Sequence, residues 1–97
     1  MEFDFEGELS ELSSIGDSFT NLIYSIAVSQ ALKKPVGRKA SNHVLSQALL
    51  LSGLRDKAGS RLDKGEMADF VEALIFYAWI KHRITLEECV AILRKAL

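Results

Sequence analysis

Apolar residues along this chain fall three and four positions apart, the spacing that lines one face of a helix. From Asp17 onward Phe19, Leu22, Ile23, Ile26, Ala27 and Gln30 or Ala31 form such a stripe, and Lys33 and Lys34 follow where a helix dipole favours positive charge. Ahead of it, Glu8 to Ser14 reads as one or two helical turns. Ile15-Gly16-Asp17-Ser18 should interrupt that turn and restart the pattern, because glycine tolerates conformations other residues avoid. Pro35-Val36-Gly37 reads as a turn. Ser41 is an N-cap for a helix carrying Val44, Leu45, Ala48, Leu49 and Ser52, with Gly53 as its C-cap. Leu54 to Lys64 is polar and shows neither helical nor strand period, as a loop would. A central helix follows, from about Asp63 or Gly65 to His82. Thr85-Leu86-Glu87-Glu88 is a capping box opening a last helix with Leu86, Cys89, Val90, Leu93 and Leu97 on one side. The alternating, β-branched runs of strands are absent. The pattern predicts an all-α bundle of four to five helices.

The central helix departs from this amphipathic scheme. From Ala73 to Ile80 it is apolar on every side, more than so short a chain is expected to cover. Phe76, Tyr77 and Trp79 are therefore candidates for a subunit interface, and a homodimer is expected.

Composition narrows the class without naming a function. A chain of 97 residues, 48% hydrophobic and 26% charged, is expected to fold as a single globular domain over residues 1–97. A net charge of −1 supplies no global field toward nucleic acid, so such binding needs a local basic patch. Cys89 is the sole cysteine, without a disulfide or zinc partner. Met1 to Glu8 is acidic and unlike a signal peptide, and Ala73–Ile80 is far short of the roughly 18 apolar residues of a membrane span. The expectation is a soluble, cytoplasmic protein with no membrane partner.

Candidate chemistry begins with Asp69 and Glu72. Residues three apart on a helix are neighbours, so these carboxylates share a face and can grip one cation. The plainer alternative is two solvated acids near a helix N-terminus, where the dipole favours them. His43 and His82 stand on different helices without a cysteine partner, and Ser46 and Ser52 lack a nucleophile context.

Two stretches together carry a family likeness. Ala68-Asp69-Phe70-Val71-Glu72-Ala73-Leu74-Ile75 resembles the ribonuclease III motif in which an aspartate and a glutamate three apart precede alanine and an apolar stretch. Ile15-Gly16-Asp17-Ser18-Phe19 resembles that family's other hallmark, an apolar residue, Gly, Asp and a small residue opening a helix. They occur in the family's order, and the likeness to short archaeal-type members spans roughly Leu12 to Ile80. The resemblance implies that Asp17, Asp69 and Glu72 hold catalytic Mg²⁺, with Mn²⁺ as a substitute, and that Asp17 and Glu72 are catalytic. It implies hydrolysis of phosphodiester bonds in double-stranded or structured RNA. Hard oxygen ligands suit these ions, which activate water and relieve charge on the phosphoryl group.

The chain also departs from the pattern. Ser13 stands where the typical family enzyme has a further glutamate, four residues before Asp17; Glu11 and Glu66 are the nearest acids in position to compensate. Phe76 stands where the family usually has glycine. Lys33, Lys34, Arg38, Lys39, Arg55, Lys57, Arg61 and Lys64 collect in two loops. Arg38, Lys39, Arg61 and Lys64 are the candidates for RNA phosphates, with ordinary solvated charges as the alternative. The alternative function is a catalytically impaired RNA-binding or dimerisation module of the same fold.

Overall fold

The computed structural model describes the backbone of residues 9–51 and 64–97 and the side chains of 11–51 and 68–97. Four helices and no strand occur among the described residues: α1 (Leu9–Leu32), α2 (Asn42–Leu51), α3 (Lys64–Ile80) and α4 (Leu86–Arg94). The all-α expectation holds. Gly53 and most of the expected loop lie outside the described residues, while Lys64, assigned to that loop by pattern, opens α3. No described helix is long and apolar enough to cross a membrane.

α1 is one continuous helix of 24 residues with Gly16 inside it, so the expected interruption at Ile15–Ser18 does not occur. Glycine lowers helix propensity, but a missing Cβ also lets another helix approach, and the second effect decides here. α1 packs chiefly on α3 and then on α4, while α2 also leans on α3. Ile23, Leu45, Leu49, Ile75, Leu93 and Cys89 are fully buried where they meet.

The buried stripe of α1 keeps Phe19, Ile23 and Ala27 from the one read by pattern but not Leu22. Leu22 is 55% exposed, and Thr20 is wholly buried instead. Its hydroxyl donates to the Gly16 carbonyl at 2.8 Å and the Asp17 carbonyl at 3.2 Å, so burying it leaves no unmet donor. Phe76 is also corrected as an interface residue. It is 4% exposed, packed edge-on to Phe19 at 5.9 Å between ring centroids, and Trp79 stacks on Phe19 at 4.6 Å. The neighbouring helices cover most of the all-round apolar run, and within it only Tyr77, beneath the Lys81 ammonium, is exposed.

Both long helices stop on a side-chain-bearing residue in the left-handed region. Lys33 (φ 57°) follows α1 and His82 (φ 59°) follows α3. In each case the next N–H reaches back five residues, Lys34 to the Ser29 carbonyl at 3.2 Å and Arg83 to the Ala78 carbonyl at 2.9 Å. This closes the helix in the manner usually given to glycine. α4 begins with the capping box its sequence announces: Thr85 Oγ1 accepts from the Glu88 N–H, and Glu88 Oε1 accepts from the Thr85 N–H, both at 3.1 Å. Ser41 caps α2 through the Val44 N–H at 3.1 Å.

Between α1 and α2 the chain returns along α1 as an extended segment. Ser29 Oγ accepts from the Val36 N–H at 2.8 Å and donates to its carbonyl at 3.0 Å. Ser25 Oγ does the same for Arg38, at 2.8 and 2.9 Å, and Asn21 Oδ1 accepts from the Ala40 N–H at 2.9 Å. Four helical residues rise about 6 Å and two extended residues span about 6.6 Å, so polar side chains four apart meet every second residue of the returning segment.

Candidate metal centre

The acidic residues come together where α1 and α3 cross. A Cβ on Gly16 would run into the Glu72 carbonyl oxygen, with the Glu72 carbonyl carbon 2.6 Å away and the Ala73 nitrogen at 3.2 Å. Only glycine permits this backbone approach, and it sets Asp17, the next residue of α1, beside Glu72 of α3. Ser13, one turn earlier on α1, is buried as well.

Glu72 is 7% exposed, and its carboxyl is pushed up from 4.5 to about 7. Burial is the largest cause, followed by the negative charges of Asp17 and then Asp69. A hydrogen bond with the Asp17 side chain raises it further, and the positive charge of Lys39 works in the opposite direction. Near neutrality Glu72 therefore holds a proton part of the time, and its hydroxyl donates to Asp17. Asp69 is exposed, one turn nearer the start of α3.

Carboxylates that repel one another across a helix crossing are relieved by a proton or by a cation. The donors are hard oxygens, which select magnesium or manganese over softer metals. That chemistry fits a divalent ion. As positioned, however, no group of three or more His, Cys, Asp or Glu among the described residues has the spacing to hold a metal ion. Asp17 and Glu72 are paired with each other, and Asp69 contributes charge from the exposed lip.

The family model described as ribonuclease III matches residues 10–97. The chain belongs to the ribonuclease III family. Among curated proteins none matches closely enough to stand as a relative. Ribonuclease III proteins are RNA-processing nucleases that generally work with a divalent metal, and membership carries that coarse function to this chain.

The other ribonuclease III candidates are spread more widely. Arg38 and Lys39 are exposed on the segment pinned to α1. Arg61 lies outside the described residues, as do Arg55 and Lys57; Lys64 opens α3 with its side chain undescribed, and so does that of Glu66. Glu11 is exposed, two residues from the buried Ser13. His43 and His82 are exposed, while Cys89 is buried, its thiol pushed up to about 11 by desolvation and the Glu88 charge, which rules it out as a nucleophile at neutral pH. Sequence reasoning missed the link between Lys39 and Glu72. The signal for it was Asn21, Ser25 and Ser29, a polar stripe at intervals of four that resembles a solvated helix face but binds a returning segment.

Proposed function

We propose that this ribonuclease III protein is a Mg²⁺-dependent endoribonuclease hydrolysing double-stranded or structured RNA, with Asp17, Asp69 and Glu72 as its metal-holding residues. The observation that carries the reading is the Glu72 carboxyl, buried beside Asp17 and within the field of Asp69, and raised to about 7 as a result. Such a cluster is costly for stability and is matched to a cation. When bound, Mg²⁺ supplies an activated water and charge relief on the phosphoryl oxygens. Asp17 and Glu72 would hold that ion once Glu72 gives up its proton, and Asp69 would extend the donor set toward solvent. Arg38 and Lys39 meet RNA phosphates by charge, and A-form RNA is read by shape and backbone, which requires no base-reading motif.

A catalytically impaired RNA-binding module is the second reading. It is favoured by the buried Ser13 one turn before Asp17 and by the lack of a preformed three-ligand group among the described residues. A homodimer belongs to the proposal through a surface other than Phe76: Ile15 and Leu22, seven apart on α1, are both exposed. Cleavage of double-stranded RNA with Mg²⁺ or Mn²⁺, compared with Asp69→Asn and Glu72→Gln, separates the two readings. Cleavage by the wild type alone supports the enzyme, and RNA binding without cleavage supports the module.

A further inference from the structure

Three ionised carboxylates keep a net negative charge even with one divalent ion bound, so a cation of the protein's own on the same lip would help to hold an RNA phosphate there. We propose that Lys39 is that cation, a catalytic residue that holds the scissile phosphate against the acidic centre, and that Asn21 is the positioning residue that places it there. This rests on the endonuclease reading and goes beyond phosphate contact along a flank.

The placement follows from geometry. Asn21 stands one helical turn after Asp17, and its Oδ1 takes the Ala40 N–H at 2.9 Å. Ser25 fixes Arg38 through both N–H and carbonyl, and the Ala40 side chain is buried. Lys39 is thus held on both sides by a backbone that cannot slide, at the level of α1 where the carboxylates gather. Its charge is felt at Glu72. Lys39 is exposed, so its ammonium can meet an arriving anion. Arg38 has the same charge and exposure one residue away, yet neighbouring residues of an extended segment point to opposite sides. Arg38 therefore serves as the internal control.

The experiment uses the full chain and perfectly paired RNA, with cleavage measured in Mg²⁺, RNA binding in Ca²⁺, and Mg²⁺ binding alone by calorimetry. Lys39→Met should lower kcat about tenfold or more with little change in RNA affinity, as expected when a charge acting on the transition state is removed. It should also tighten Mg²⁺ binding by about threefold, since a positive charge leaves the neighbourhood of the ligands. Arg38→Met should instead act chiefly on RNA affinity, raising KM more than it lowers kcat, without tightening Mg²⁺ binding. Asn21→Ala should lower kcat in the same direction as Lys39→Met, and Asn21→Asp, which keeps the acceptor, should restore most of it. If Lys39→Met and Arg38→Met both weaken RNA binding in parallel at unchanged kcat, Lys39 is an ordinary backbone contact and the inference is overturned. A wild type that neither binds Mg²⁺ nor cleaves overturns the nuclease reading itself, and the inference with it.

Discussion

The two halves of α1 are held in opposite ways. Its second half is satisfied: Asn21, Ser25 and Ser29 meet backbone groups of the returning segment at 2.8–3.0 Å, all neutral and all paired. Its first half is in tension, with Gly16 against the backbone of α3 and Asp17 against a buried Glu72. Protein interiors seldom keep like charges together without a use for them, so stability is given up where chemistry is proposed and recovered where it is not. The second half also serves the first, since the segment it clamps at Arg38 and Ala40 carries Lys39 between them.

The largest expected effect breaks the first half outright. Gly16→Ala should destabilise by about 3 kcal/mol in urea denaturation, because the new Cβ meets a backbone carbonyl that cannot give way. Helix propensity alone predicts the opposite, a gain of about 1 kcal/mol. A stabilised variant would mean the two helices do not approach as closely as described.

Charge tension has its own pH signature. The Glu72 carboxyl titrates higher in the folded chain, about 7, than its ordinary 4.5. The folded state then binds more protons between those values, so this group's contribution is full below pH 4.5 and is lost as pH rises through 7. In chelator, Glu72→Gln should be the more stable protein at pH 8, by at most about 3 kcal/mol. The difference should close toward pH 4.5, and adding Mg²⁺ at pH 8 should raise the Tm of the wild type and not of the variant. Parallel stability curves for the two would remove the electrostatic half of the comparison.

In the satisfied half the effects are smaller. Ser25→Ala deletes two hydrogen bonds to Arg38 and should cost about 1–2 kcal/mol without changing the pH dependence. Smallest, and opposite in sign, Lys33→Gly should stabilise by about 0.5 kcal/mol in thermal melts by removing a side chain from a left-handed turn, at φ 57°.

What sequence could read here was whatever local chemistry specifies. Thr85 and Glu88 announce a capping box, Ser41 an N-cap, and the absence of alternating strands an all-α chain; each is a contact between near neighbours. The family motifs singled out Asp17, Asp69 and Glu72, but no spacing rule could say that Glu72 is buried against Asp17. Gly16 was misread because propensity sees one helix at a time, whereas this glycine serves the approach of another. Leu22 was placed inside because a stripe counts only apolar residues, and Thr20 satisfies its own hydroxyl and takes that place. Phe76 was assigned to an interface because an all-round apolar helix has no preferred face, and three neighbouring helices share the task of covering it.

The central claim is that the three carboxylates at the crossing of α1 and α3 together bind a divalent cation. Calorimetric Mg²⁺ titration at pH 8 tests it most directly, on the wild type, Asp17→Asn, Glu72→Gln and Ser13→Glu. The wild type should bind weakly, the two neutralised variants should not bind, and Ser13→Glu, which adds a carboxylate one turn before Asp17, should bind more tightly. Equal heats from the wild type and both neutralised variants, with Ser13→Glu unchanged, would contradict the account.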